Sequence, residues 1–180
     1  MIHPTAIIHP RACLGANCVI GPYCVIGEYV ELGDGCLLHS HVVITGHTRL
    51  GKENEVFPFA CLGAKTQDLK WTGGVNRVEI GDRNVIREYV TVHCATNDGQ
   101  ATVIGSQNLL LAYVHVAHDC VLGNQIIMSG YAGLAGHVVV EDQVVLGGYT
   151  AVHQFCRIGR LAMISGLSAV NSTFLQSRVE

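Results

Sequence analysis

Aliphatic residues return at every sixth position along most of this chain. The beat begins at Ile2 and continues through Ile8, Leu14, Ile20, Ile26, Leu32, Leu38, Ile44, Leu50, Val56 and Leu62. It resumes at Ile80, Ile86 and Val92, then runs unbroken from Ile104 to Val170. Asp68, Gly74 and Asp98 are the interruptions. The residue two before each beat is usually small or β-branched, as at Cys18, Cys24, Val30, Cys36, Val42, Val114, Cys120, Ala132 and Val138. The residue just after is often Gly.

In a strand, positions i and i−2 share a face, so both would point inward, and the Gly or small polar residues that follow would form the turn. Short strands joined by sharp turns, three per coil, predict a triangular prism of about 18 residues per rung, which is a parallel β-helix of the hexapeptide type. An α-helical solenoid fails on two counts. A period of six matches no 3.6-residue stripe, and each Gly at a helical site would cost about 1 kcal/mol. The period does not fix the hand of the coil. It predicts one all-β domain over residues 1–170 and a short tail over 171–180.

The interruptions locate two loops. Residues 64–78, "AKTQDLKWTGGVNRV", and residues 94–101, "CATNDGQA", lose the aliphatic beat and then rejoin it. An insertion in a solenoid leaves the prism as a loop, often on the binding face. Asp68 and Lys70 lie close together on the first loop, which suits a polar or phosphorylated ligand. A passive surface excursion is the alternative.

Composition agrees with many short strands: 49% hydrophobic, 21 Gly, 6% aromatic in 180 residues. A net charge of −3 without any Lys/Arg run gives no nucleic-acid surface. "MIHPTAIIHP" has neither a basic n-region nor a long apolar h-region, and no apolar run approaches the length of a membrane span. The expectation is a cytoplasmic protein without secretion signal or membrane span. Five of the eight cysteines (Cys18, Cys24, Cys36, Cys120, Cys156) fall at the small inward position, and no CxxC pair exists. They read as free thiols packed as compact hydrophobes.

Candidate chemistry centres on "YVHVAHDC" at 113–120. Where the beat is unbroken, a residue lies above its counterpart 18 positions earlier, so His118 stacks below Gly136 and then Gln154. His137 and His153 are one step away, which brings His118, His137, His153 and Gln154 to one edge of the prism. His115, between inward Val114 and Val116, faces outward. This register disfavours histidines packed in the core. His3, His9, His39, His41, His47 and His93 read as turn residues.

A zinc site needs three or four ligands. The β-helix carbonic anhydrases use two histidines five apart and a third from another subunit; no two histidines here have that spacing. Zinc is therefore the less favoured reading. An outward His beside Asp119 suits a general base, since imidazole accepts a proton near pH 7 and a carboxylate stabilises the imidazolium. Neighbouring side chains in a strand diverge, so the sequence leaves open whether Asp119 reaches His118. Gly136 offers an N–H for an oxyanion with no side chain in the way. With no obvious Ser or Cys nucleophile beside them, these groups point to direct acyl transfer to a hydroxyl.

At these residues the chain resembles the acyl-ACP–UDP-N-acetylglucosamine O-acyltransferases that begin lipid A synthesis. The resemblance lies in "SHVVITGHTRLG" at 40–51, "QDLK" at 67–70, "RVEIGDRN" at 77–84, "HVAHDCVLGN" at 115–124, "LAGHV" at 134–138 and "HQFCRIG" at 153–159, and extends to about residue 168. It implies a left-handed coil and a homotrimer with active sites in the clefts between subunits. His118 would take the proton of the glucosamine 3-hydroxyl, Asp119 would support it, and the Gly136 N–H would hold the oxyanion. His115, His137, His153 and Gln154 would position the sugar nucleotide and acyl chain, with Asp68 and Lys70 contributing from the loop. Gly166 matches a position whose size helps set acyl-chain length. The partners implied are acyl carrier protein bearing a 3-hydroxyacyl chain as a thioester and UDP-N-acetylglucosamine, so the resemblance implies no metal or organic cofactor.

Family members continue into a helical carboxy-terminal region that helps bind the nucleotide, whereas this chain ends with "NSTFLQSRVE" ten residues beyond Val170. Weaker nucleotide binding and a poorly capped top rung are the expectations. Two further readings stand beside the enzyme: a truncated, inactive homologue or trimeric scaffold, and a zinc enzyme of carbonic-anhydrase type.

Overall fold

A computed structural model describes residues 1–173; of the expected tail, residues 174–180 lie outside the described part. Twenty-five short strands and no helix make up this part of the chain. All strand pairings are parallel, in sheets of nine, eight and eight strands. Successive strands go to the three sheets in turn, so each coil adds one strand to each face of a prism. Among the described residues no helix is long and apolar enough to cross a membrane.

Both residues of each repeat point where the period requires. Val30 with Leu32, Cys36 with Leu38, Val42 with Ile44 and Val114 with Val116 are all buried. These pairs form one continuous apolar column from Cys18 to Ile164. Each fully buried aliphatic side chain contributes about 1.5–3 kcal/mol, and the column is replenished at every strand.

The small inward slot also takes polar residues, which periodicity did not distinguish. Asn54, Asn84 and Asn108 are buried there and form a ladder. The Asn54 Oδ1 accepts the Asn84 backbone N–H at 2.9 Å, the Asn84 Oδ1 accepts that of Asn108 at 2.9 Å, and the Asn108 Oδ1 accepts that of Ile126 at 2.8 Å. Their amides donate to the carbonyls of Gly51, Gly81, Gly105 and Gly123. The three asparagine side chains taken into the core thus find partners, which burial demands.

The ladder crosses the rungs where the loops leave. Cα partners lie 18 residues apart in an ordinary rung (Val43 and Cys61), but 30 apart across the first loop (Cys61 and Thr91) and 24 across the second (Thr91 and His115). The excess of 12, then 6, is a whole number of repeats, so inward and outward positions keep their register above the loops. The strands flanking them, Cys61–Ala64, Arg77–Ile80, Thr91–His93 and Ala101–Ile104, are longer than the usual two residues. The loops proper are accordingly 65–76 and 94–100, slightly shorter than the sequence indicated.

Most corners of the prism are turned by a residue with positive φ, usually not glycine. One corner carries a stack of aromatic rings, Tyr23, His41, Phe59, Tyr89, Tyr113, Tyr131 and Tyr149, with centroids 4.6–5.1 Å apart. The left-handed conformation costs an L-residue roughly 1–2 kcal/mol, and ring stacking of about 0.5–1.5 kcal/mol per pair offsets much of it.

Candidate active site

Both loops leave the prism at the same corner, following strands Cys61–Ala64 and Thr91–His93 of the nine-stranded face. Above them the corner is turned by Asp119, His137 and Phe155, with φ of 59°, 61° and 64°. On the adjoining face the outward residues run in register from Thr91 through His115 and Gly133 to Ala151. The side chains shrink sharply above His115, and a Cβ on Gly133 would meet nothing within 4 Å. Small outward residues and a protruding loop leave a cleft of about 780 Å³, lined by Asp68, Lys70, His93, His115, His118, His137, Gln154 and Phe155 among others.

His118 sits at the inner edge of this cleft with 15% of its side chain exposed. Its Nδ1 lies 2.8 Å from the Asp119 Oδ2. A carboxylate can only accept, so Nδ1 carries the proton and Nε2 keeps its lone pair. The left-handed turn at Asp119 makes this contact between chain neighbours available, where an extended strand would send the two side chains apart. The ring lies directly over Gly136: a Cβ built there would come within 2.5 Å of the His118 Nε2. Gly136 is therefore required by the space His118 occupies. Its N–H has no hydrogen-bond partner among the described residues, while those of Ala135 and His137 donate to Val152 and His118 carbonyls.

The two loops hold the pair in place. The Thr96 N–H, from the second loop, donates to the Asp119 Oδ2 at 3.1 Å, and the Thr96 hydroxyl donates to the Asp68 Oδ2 at 3.2 Å. The same Asp68 oxygen is 4.0 Å from the His118 Nε2. The Lys70 backbone N–H on Asp68, with the Thr96 hydroxyl and the nearby His118, holds the Asp68 carboxyl below its ordinary range. Trp71 fixes the first loop: its indole N–H donates to the Asn76 side chain at 3.0 Å, and the Lys65 ammonium lies over its ring at 4.0 Å. The loops are thus part of the site's framework, which disposes of the passive-excursion alternative.

Two more histidines form the lower wall. His115 contacts the Thr91 hydroxyl at 2.7 Å and meets His93 edge to face at 4.9 Å. Burial, then the neighbouring His93 and His118, pushes His115 down to about 4. Burial and His118 lower His93 as well. Both rings are neutral near pH 7 and available as hydrogen-bonding groups.

Most residues expected from the sequence meet here. Asp68, Lys70, His115, His118, His137 and Gln154 line the cleft, with Asp119 and Gly136 against His118. Two do not. His153 shares the corner but is exposed and turned aside, its Nδ1 3.3 Å from the Gln154 carbonyl. Gly166 lies at the aromatic corner, next to Gly148. The sequence reading also placed His93 and His47 in turns, and the structure corrects both. His93 ends a strand, is buried and lines the cleft, and His47 opens the strand His47–Leu50. Phe155 was missed: it stacks on His137 with centroids 4.7 Å apart. Its signal was the spacing of 18 from His137.

The bacterial transferase hexapeptide family model (six repeats) matches residues 1–33 and 14–46. An acyl-[acyl-carrier-protein]–UDP-N-acetylglucosamine O-acyltransferase of Synechocystis sp. is 52% identical over 169 residues, which is 94% of this chain and 61% of that protein. A crystal structure of a UDP-N-acetylglucosamine acyltransferase superposes with a TM-score of 0.95 at 46% identity, over 96% of this chain and 67% of that one. The chain belongs to the UDP-N-acetylglucosamine acyltransferase family. The acyltransferase from Campylobacter jejuni agrees, with a TM-score of 0.91 at 38% identity over 97% of this chain and 68% of that one. As in these acyltransferases, the prism is a left-handed parallel β-helix. The chain spans 61% of the length of the curated acyltransferases it matches.

Proposed function

We propose that this chain transfers a 3-hydroxyacyl group from acyl carrier protein to the glucosamine 3-hydroxyl of UDP-N-acetylglucosamine, the first step of lipid A biosynthesis, in the cytoplasm. The observation that carries the reading is the His118–Asp119 contact of 2.8 Å, which leaves Nε2 free on the cleft side. In this reading Nε2 accepts the hydroxyl proton as the sugar oxygen attacks the thioester carbonyl. Asp119 stabilises the imidazolium, and the Gly136 N–H receives the developing oxyanion. The C–S bond then breaks, and the carrier thiol leaves with the proton held by His118.

The cleft has room and character for both substrates. Lys70 and Asp68 at its rim suit the polar sugar nucleotide, while Leu134, Ala151, Val152 and Phe155 offer apolar wall to an acyl chain. His137 and Gln154 complete the polar side, and His115 and His93 supply neutral contacts beneath. Gly166 and His153 enter only with a second copy beside this one, so they belong to the homotrimer part of the proposal. An outward ladder of Val19, Leu37, Val85, Leu109, Ile127, Val145 and Met163 on one eight-stranded face, interrupted by Glu55 between Leu37 and Val85, favours such packing. Sedimentation equilibrium yielding a monomer at micromolar concentration would rule out that part.

The test is acyl transfer by this chain and by His118→Ala. A loss of at least ~10²-fold, typical of a general base, is expected on substitution. Binding of UDP-N-acetylglucosamine without turnover in the parent chain would replace the enzyme reading with a scaffold.

A further inference from the structure

His118, Asp119 and His137 each offer one ligand atom, and those atoms lie within 4.8 Å of one another. We propose that this cluster binds a zinc-type divalent cation as an inhibitor, through the His118 Nδ1, the Asp119 Oδ2 and the His137 Nε2. Only the inhibitory consequence rests on the function proposed above; the binding does not.

The geometry is close to what the ion needs. Zinc bonds of about 2.0–2.1 Å at tetrahedral angles place donor atoms roughly 3.3 Å apart. The Asp119 oxygen is now 2.8 Å from the His118 Nδ1 and 3.8 Å from the His137 Nε2. One separation must open and the other close by about half an ångström, and the two imidazole nitrogens, within 4.8 Å of each other, must close as well, adjustments within reach of side-chain rotation. Two imidazoles and a carboxylate are a donor set suited to zinc. The three leave a fourth position for water. His137 keeps its ring orientation by stacking on Phe155 at 4.7 Å, and Thr96 fixes the carboxylate at 3.1 Å. Such outer contacts orient ligands before the ion arrives.

The consequence follows from the imidazole tautomer. Without the ion, Nδ1 carries the proton and Nε2 has the lone pair. Coordination at Nδ1 displaces the proton there and uses a lone pair on that nitrogen, so the neutral ring must carry its one N–H proton on Nε2. The atom that would accept the substrate proton then has nothing to accept it with, while the fold and much of the cleft are untouched.

The experiment titrates Zn²⁺ against a chromophoric chelator in the full chain, and Co²⁺ as a spectroscopic probe of coordination. One equivalent per chain is expected, with the intense visible bands of four-coordinate cobalt. His118→Ala and His137→Ala should each weaken binding by at least ~10-fold, the lower end of what even an outer contact to a bound metal costs. His3→Ala, an exposed histidine of the first rung, is the control and should bind like the parent. No binding, six-coordinate cobalt only, or equal losses in all three variants would overturn the site. Binding as expected with unchanged acyl transfer would retain the ion but reject its inhibitory role. A parent chain without transferase activity would bear on the proposed function alone, because the metal titration reads the site directly.

Discussion

Gly136→Ala isolates what positions His118. Gly136 does not have positive φ, so alanine can adopt its backbone, and the N–H at this position is retained. The added carbon would stand 2.5 Å from the His118 Nε2. A non-bonded contact of this kind settles near 3.5 Å, so the ring must retreat by about 1 Å. It has little freedom to do so. The Asp119 carboxylate holds Nδ1 at 2.8 Å, and His137 stands edge-on with its centroid 5.2 Å away. Retreat therefore lengthens the Asp119 contact and moves Nε2 off its line into the cleft. Misplacement of a reacting group by 1 Å costs about 10²-fold in rate, while overpacking one site costs about 1–3 kcal/mol of stability.

The assay is kcat/KM for acyl transfer in the four members of a double-mutant cycle: parent, Gly136→Ala, His118→Ala and both. A drop of about 10²-fold is expected for Gly136→Ala. If the alanine acts through the ring, the double variant should be no slower than His118→Ala alone, because the two changes share one mechanism. Gly136→Ala within about threefold of the parent, a difference under 1 kcal/mol, would refute the reasoning. A double variant slower than His118→Ala by the full single effect would show that Gly136 acts independently of the ring.

Two further predictions concern the framework. His115 titrates at about 4 in the folded chain and near 6.5 when unfolded; between those values the unfolded chain binds more protons, so stability is complete above about pH 6.5 and falls as the pH drops toward 4. Allowing for screening at the ring edge that faces the cleft, the loss should be about 1–2 kcal/mol; urea unfolding at pH 7.5 and 4.5 should show a loss larger by that amount in the parent than in His115→Gln, where His93 still contributes, and equal losses would sink the assignment. Asn84→Ala removes the acceptor for the Asn108 N–H and the amide that donates to the Asn54 Oδ1 and the Gly105 carbonyl, while the backbone N–H at this position still donates to Asn54. Orphaned buried polar groups cost about 1–3 kcal/mol each, so a denaturation midpoint close to that of the parent would mean the ladder is dispensable.

What the sequence made legible was register. A six-residue beat determines which side chains enter the core, and a stacking interval of 18 brings His118, Gly136 and Gln154 to one corner. Both deductions need only counting. Less legible was anything set by a single dihedral angle. The His118–Asp119 contact depends on φ of 59° at Asp119, and no spacing rule yields it. His93 was misplaced for a related reason. A residue directly after an inward beat normally begins a turn, but the loop beyond Val92 extends the strand by one residue and closes over it. The pairing there shifts register between Leu62 and Ala64 to admit His93.

The loops therefore do two things that their sequence only partly shows. Their excess lengths of 12 and 6 residues keep the six-residue count continuous through the interruptions. By leaving from one corner, they also place Thr96 where it can donate to both Asp119 and Asp68. A regular prism has corners that repeat identically and shed water equally. The site forms where the repeat is interrupted, because only there does a second layer of chain lie over the outward face and shelter polar groups from solvent. The regular part supplies rigidity and register, and the interruption supplies the burial that lowers His115 and His93 and holds Asp119 at 10% exposure beside His118. Neither part alone would hold His118 against Asp119 at the edge of the cleft.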